Sequence, residues 1–185
     1  MSKYKVLSLP CCTEELQSLN IGEIVYINGT LITGRDAAHK RIIELIKKGK
    51  SLPVDLKDQA LYYVGPCPAK PGQVIGSCGP TTSSRMDVYT PTLLDLGLKI
   101  MIGKGQRNST VIDAMVKNKA IYLAAVGGTG ALLSKCVKKA KVIAFEDLGT
   151  EAIYSLTVEN FPTIVAIDTR GNNLFDIGPA AFCQL

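Results

Sequence analysis

Tryptophan is absent from this 185-residue chain, histidine occurs once, and aromatic residues make up only 6% of it. A core with so few rings has to be largely aliphatic, which suits an α/β protein. Long apolar runs are missing too, and none approaches the roughly 20 residues that cross a bilayer. The opening Met1-Ser2-Lys3-Tyr4-Lys5-Val6 lacks the apolar stretch of a secretory signal. The expectation is therefore a cytoplasmic protein with no membrane partner. Its six cysteines, Cys11, Cys12, Cys67, Cys78, Cys136 and Cys183, form no Cys-x-x-Cys pair and no Cys/His cluster. In a reducing compartment they read as buried or incidental thiols, not as disulfides or a local metal site. Cys67 and Cys78 in particular are expected to be structural. The lone His39 excludes a recognisable Cys–His nucleophile motif.

Basic residues outnumber acidic ones, for a net charge of +5. They are spread along the chain, however. Lys47-Lys48-Gly49-Lys50 and Lys138-Lys139-Ala140-Lys141 lie near expected helix ends, where lysine suits the helix dipole. Aromatic residues do not interleave with them, so no nucleic-acid partner is expected. With 46% hydrophobic and 20% charged residues, the bulk composition is that of a globular protein.

One segment concentrates chemistry. Gly79-Pro80-Thr81-Thr82-Ser83-Ser84-Arg85-Met86-Asp87 opens on a Gly-Pro break and then sets hydroxyls, a guanidinium and a carboxylate close together. Arg85 offers a planar fork of donors that matches a carboxylate or phosphate. Two readings stand side by side: an anion-binding loop, and a Ser/Thr-rich lead-in to a helix capped by Asp87.

Around that segment the pattern is mixed. Thr13–Ser18 suggests one helical turn. Glu23–Asn28 and Thr30–Thr33 read as antiparallel strands turning at Gly29. A helix follows from Asp36, with apolar positions at Ala38, Ile42, Ile43, Leu45 and Ile46, and ends at Gly49. Gln59–Val64 and Gln73–Ser77 read as strands around a stiff Gly65-Pro66-Cys67-Pro68 turn. Beyond residue 85, helices (Asp87–Leu96, Ser109–Asn118, Thr129–Cys136) alternate with strands (Lys99–Ile102, Ala120–Val126, Lys141–Phe145), as in βαβ units with a parallel sheet. Strand signals return at Ser155–Val158 and Thr163–Asp168, before a turn at Arg170–Asn173. No linker or repeat divides the chain, so one domain over residues 1–185 is expected, mixing antiparallel strands with a parallel α/β layer.

Three further places invite a ligand. Arg35 precedes the helix N-terminus opened by Asp36, which reads most simply as its N-cap. His39 shares a face with Ile42 and Ile43 and reads as a packed, hydrogen-bonded histidine. Gly103-Lys104-Gly105 follows a parallel strand, at the carboxyl end where open α/β sheets bind ligands. Val126-Gly127-Gly128-Thr129-Gly130 is a tight turn with only partial likeness to a dinucleotide loop. Together, Arg35, Arg85 and Lys104, with Thr81 and Thr82, suit a small dianion. They supply no electrophile.

These motifs carry a family resemblance. Gly-Pro-Thr-Thr-x-x-Arg-Met-Asp at 79–87 resembles the signature of the β component of iron–sulfur class I fumarases and L-tartrate dehydratases. So do Arg35-Asp36-x-x-His39-Lys40-Arg41, Gly103-Lys104-Gly105, Gly127-Gly128, Glu151-Ala152-Ile153-Tyr154, Phe161-Pro162 and Asp168-Thr169-Arg170-Gly171-Asn172, in the same order from about Leu16 to Phe175. The resemblance implies a swivelling β/β/α domain. It also implies a separate α subunit carrying a [4Fe–4S] cluster, in an α2β2 assembly whose active site forms between subunits, with no metal on this chain. By the same resemblance, Arg35, Thr81, Thr82, Arg85 and Lys104 bind a C4 dicarboxylate. Thr81, Arg85 and Lys104 act in catalysis, with Thr81 at the position of a proposed base, and Asp36 and His39 support them. Ser83-Ser84 stands where Ala-Gly is often found, adding a hydroxymethyl group beside the pocket. The loops at 103–108 and 125–128 lean towards fumarase, so reversible hydration of fumarate to L-malate is the expected reaction. Tartrate dehydration and a non-catalytic dicarboxylate-binding module are the alternatives.

Overall fold

The computed structural model describes residues 4–182; Met1–Lys3 and Cys183–Leu185 lie outside the described residues. Seven strands form one mixed sheet: β1 (Lys5–Ser8), β2 (Ile24–Thr33), β3 (Ala60–Tyr62), β4 (Ile100–Gly103), β5 (Ile121–Ala124), β6 (Val137–Ala144) and β7 (Ile153–Ile167). The helices are α1 (Thr13–Gln17), α2 (Asp36–Lys47), α3 (Thr90–Asp95), α4 (Ser109–Asn118), α5 (Gly130–Cys136) and α6 (Leu174–Phe182), with 3-10 turns at Ser83–Met86 and Glu146–Glu151. The result is a mixed α/β domain. Among the described residues no helix is long and apolar enough to cross a membrane.

Strands β2, β3, β4 and β5 pair in parallel in that order. The long β7 runs antiparallel to both β5 and β2, which closes these five strands into a ring. β1 and β6 extend it, pairing with β2 and β7. Alternation along each strand sorts side chains to two faces. Val25, Ile27, Tyr62, Val64, Ile102, Leu123 and Phe161 share one core. Leu61, Tyr63, Met101 and Tyr122, between or beside them in sequence, face the other way, onto Ala38 and Ile42 of α2, Leu93 and Leu94 of α3, and Val111 and Met115 of α4.

The two best-placed helices follow local rules. α4 occupies the expected Ser109–Asn118, capped by Asn108 Oδ1, which accepts from the Val111 N–H at 2.9 Å. α2 starts at Asp36 as expected. Elsewhere tertiary pairing overrides local signals. The expected hairpin at Gly29 does not form, and β2 runs on through it. Gly29 has φ +117, and a Cβ there would sit 2.5 Å from the Leu9 carbonyl oxygen, so the glycine admits a close neighbour instead of turning the chain. The antiparallel partner of β2 is β7, more than 120 residues later.

The strand expected at Gln73–Ser77 is a loop. It is tied at its neck by Cys67 N–H to Ser77 O at 2.9 Å and Gly76 N–H to Cys67 O at 3.1 Å, beside prolines that have no N–H to donate to a ladder. β6 joins β7 in antiparallel sense and does not complete the parallel run. The two tail strands merge into β7, which bends at Asn160, φ +51. The helix expected at Asp87–Leu96 begins only at Thr90, with Pro91 in its first turn.

Candidate active site

Because β2 to β5 are parallel, their carboxyl ends lie on one edge of the sheet, and the motifs at Arg35, Lys104 and Gly127 leave from it, whereas Asp168–Asn172 follows the antiparallel β7. Arg35 follows β2, Gly65 follows β3, Lys104 follows β4 and Gly127 follows β5. Ligands gather at such an edge because chain exits leave a crevice there.

The Gly-Pro-Thr-Thr segment joins this edge as a short added strand. The Thr81 N–H donates to Tyr63 O at 2.7 Å, Ser83 N–H to Lys104 O at 2.9 Å, and Lys104 N–H to Thr81 O at 3.4 Å. Thr82 and Lys104 thereby form an isolated parallel bridge. Side chains alternate as on any strand. Thr82 is exposed and Thr81 partly so, while Ser83 points inward, where its Oγ lies 2.8 Å from the Tyr122 hydroxyl. Ser83, where alanine is often found, adds only a hydroxyl, which points inward, and a Cβ at Gly103 would collide with it. The added hydroxymethyl group is that of Ser84, where glycine is often found, and it is exposed. Lys104 is exposed and makes no ion pair among the described residues; its Cδ lies 3.5 Å from where a Cβ on Gly127 would stand.

The second half of the edge is a cluster of charges centred on Asp36. Arg85, half-exposed at the end of the 3-10 turn, donates through Nε and Nη2 to the two Asp36 oxygens at 2.9 and 2.8 Å. Arg35 Nε reaches Asp36 Oδ2 at 3.3 Å and Glu151 Oε1 at 3.4 Å. Asp36 is not the N-cap that its sequence position suggested. Arg35 holds that position, Asp36 is the first helical residue, and the Ala37 N–H is taken by Glu151 Oε2 at 2.9 Å. Burial pulls the Asp36 pKa upward. Its own backbone N–H, Arg85 and Arg35 together outweigh that, and the carboxyl sits below its ordinary value.

His39 is the packed, hydrogen-bonded histidine its face implied. It is buried against Tyr63 and Tyr89, with ring centroids 5.5 and 6.0 Å away, and its Nδ1 lies 2.8 Å from the Arg35 carbonyl. That carbonyl only accepts, so Nδ1 carries the proton and Nε2, which has no partner, is the bare nitrogen. Burial, reinforced by Arg107 and opposed by the Arg35 carbonyl and Asp36, brings its pKa down to about 4. His39 is neutral at pH 7 and supports the backbone of Arg35 from beneath.

Sequence reasoning misassigned Asp87 and gave no role of their own to Arg107 and Glu151. Asp87 does not cap the following helix. Its carboxylate accepts from Arg107 Nε at 2.6 Å and from the Asn108 N–H at 2.8 Å. Arg107 is buried, bonds Thr90 Oγ1 and the Tyr63 hydroxyl, and lies 5.2 Å from the ring centroids of both Tyr63 and Tyr122. Glu151 was noticed only as part of a motif. Nothing in local spacing links it to Ala37, 114 positions away.

A [4Fe–4S] cluster takes thiolate ligands. Among the described residues no group of three or more His, Cys, Asp or Glu side chains is placed to hold a metal ion. Burial pushes the Cys78 thiol up to about 12 and is the largest cause lifting Cys11 to about 11. Cys78 is the buried structural thiol expected, whereas Cys67 is exposed.

Comparison with known proteins defines the class. Residues 3–178 match the family model described as the fumarase C-terminus. The chain is 40% identical over 163 residues to the anaerobic class I fumarate hydratase of Escherichia coli K12, an alignment spanning 87% of this chain and 30% of that protein. It is 38% identical over 169 residues to a putative L(+)-tartrate dehydratase subunit beta of Methanocaldococcus jannaschii, spanning 88% and 87% of the two chains. It is 35% identical over 185 residues to the L(+)-tartrate dehydratase subunit beta of E. coli K12, spanning 97% and 90%. The chain belongs to the fumarase C-terminus family, whose relatives here are hydro-lyases. It spans about 30% of the length of the fumarate hydratase and nearly all of the β subunits.

Proposed function

We propose that this chain is the substrate-binding β subunit of a hydro-lyase that reversibly hydrates fumarate to L-malate. The observation that carries the reading is the Thr82–Lys104 bridge, which brings the exposed Thr82 beside Lys104, a cation with no ion pair among the described residues, on the edge that also bears Arg85. Arg85 spends Nε and Nη2 on Asp36, which fixes the plane of the guanidinium and leaves its remaining N–H groups for a substrate carboxylate. Lys104 takes the second carboxylate and stabilises the charge that develops beside it as the neighbouring C–H proton leaves. Arg35 adds positive charge from the far side of Asp36. Thr81 is the proposed proton acceptor. A threonine hydroxyl is a weak base, and Lys104, bonded to Thr81 through the backbone, provides a cation on the same edge to favour its ionised form.

The proposed partner is an α subunit that carries the [4Fe–4S] cluster and covers this edge, in an α2β2 assembly within the cytoplasm. That two relatives are named subunit beta supports a partner. The same near-full-length matches favour a second reading, in which the substrate is L-tartrate.

The test is anaerobic turnover by this chain co-expressed with its α-type partner, offered fumarate and L-tartrate in parallel, with wild type beside Arg85→Ala. Fumarate hydration that falls at least about 100-fold in the variant, with iron content unchanged, is the expected result. Turnover of tartrate alone moves the assignment to the second reading. Undiminished activity in the variant removes Arg85 from the site.

A further inference from the structure

We propose that Glu151 is a positioning residue for this site, holding the Arg35 guanidinium in place and freeing Asp36 to hold Arg85. The inference rests on the proposed role of the Arg35–Asp36–Arg85 edge in binding a dicarboxylate. The first turn of any helix exposes N–H groups that need acceptors, and an aspartate at the start of α2 is the usual local source. Here the Ala37 N–H bonds Glu151 Oε2 at 2.9 Å, and the Asp36 oxygens both meet Arg85, Oδ2 also meeting Arg35 Nε at 3.3 Å. The other Glu151 oxygen, Oε1, lies 3.4 Å from Arg35 Nε. One carboxylate thus serves a helix end and a guanidinium at once.

The segment bearing Glu151 is itself anchored. Arg41 of α2 bonds Asp147 at 2.7 Å, and the Tyr154 N–H donates to Thr33 Oγ1 at 2.9 Å, so contacts on both flanks pin residues 147–154 to the end of β2 and to α2. Arg35 lies between this segment and β3: a Cβ on Gly65 would sit 2.9 Å from Arg35 Cδ and 3.1 Å from the Thr150 carbonyl oxygen. A long, flexible side chain is thereby confined, and two guanidiniums are balanced by two carboxylates. Lys104, on the same edge, makes no ion pair among the described residues. A clamp of this kind fixes reacting geometry, where small displacements cost rate.

Two substitutions separate positioning from plain structural support. Glu151→Gln keeps an oxygen for the Ala37 N–H but removes the charge facing Arg35, whereas Glu151→Ala removes both. In nitrogen-15 NMR of the 185-residue chain, hydrogen exchange at the Arg35 Nε–H is expected to speed up at least about tenfold in Glu151→Gln, with the Ala37 amide still protected and Tm within about 2 °C of wild type. Glu151→Ala is expected to lose the Ala37 protection as well. In the complex with the partner subunit, Glu151→Gln should lower kcat/KM for the dicarboxylate about tenfold, and Glu151→Asp should recover less than half of that, because the shorter arm cannot span both contacts. Unchanged exchange at Arg35 in Glu151→Gln, or kcat/KM within twofold of wild type, overturns the proposal. If Arg35→Ala and Arg85→Ala both retain turnover, the dicarboxylate reading of this edge fails instead. The NMR comparison still decides whether Glu151 holds Arg35.

Discussion

Arg85 meets Asp36 side-on, donating Nε to one carboxylate oxygen at 2.9 Å and Nη2 to the other at 2.8 Å. A two-point contact fixes both the distance and the plane of the guanidinium, which a single bond would leave free to rotate. Asp36→Asn removes the charge and one of the two acceptors. Because Arg85 is half-exposed, the cost to folding is small, about 1 kcal/mol or less. The functional cost is larger: kcat/KM for the dicarboxylate should fall about tenfold in the two-subunit complex, read from initial rates at matched iron content.

The buried pair behaves differently. The Arg107 side chain is fully covered and that of Asp87 is 6% exposed, with 2.6 Å between them. Removing one partner strands the other charge away from water, which typically costs 3–5 kcal/mol. Arg107→Met should therefore lower unfolding stability by about 3 kcal/mol or more in urea titrations. Arg85→Met, on the open edge, should lower it by about 1 kcal/mol or less.

Ser83 and Gly103 share one space. A methyl group at Gly103 would collide with Ser83 Oγ and stand 2.8 Å from the Tyr63 ring. Gly103→Ala should destabilise the chain by about 1–3 kcal/mol through overpacking. Adding Ser83→Ala should return part of that loss, and a double-mutant cycle of thermal melts measures the coupling.

Stability should fall between pH 6.5 and pH 4 on account of His39. Burial holds its folded pKa near 4, below the ordinary 6.5. Above pH 6.5 the ring is neutral in folded and unfolded chains alike, and the contribution is fully present. As pH drops, the unfolded chain binds a proton that the folded chain refuses until about pH 4, so unfolding is favoured by up to about 3 kcal/mol. Urea titrations at pH 7.5, 5.5 and 4.5 should show this slope in wild type and lose most of it in His39→Gln.

Legibility in the sequence followed the range of the interaction. Ser109–Asn118 could be read as a helix because Asn108, the apolar spacing and the Lys119 end lie within a few residues of one another. The chemistry-bearing loops could be read because Gly-Pro, Gly-Lys-Gly and Gly-Gly break regular structure wherever they occur. Their common edge was foreshadowed only for the loops after β4 and β5, where βαβ alternation makes strands parallel. That β2, read as half of a hairpin, runs parallel to β3 and brings Arg35 to the same edge was decided by tertiary pairing.

What the sequence determined by itself, then, were the side chains with chemistry to offer, Arg35, Asp36, Thr81, Thr82, Arg85 and Lys104, and the strand ends that present them. The tertiary structure alone decided who pairs with whom. β7 closes the ring against β2 across more than 120 residues. Glu151 caps a helix 114 positions away, and the His39 pKa falls only once burial and Arg107 surround the ring. Each of these depends on groups that the chain brings together only on folding, when desolvation makes an unpartnered N–H or charge costly and a distant partner worth recruiting.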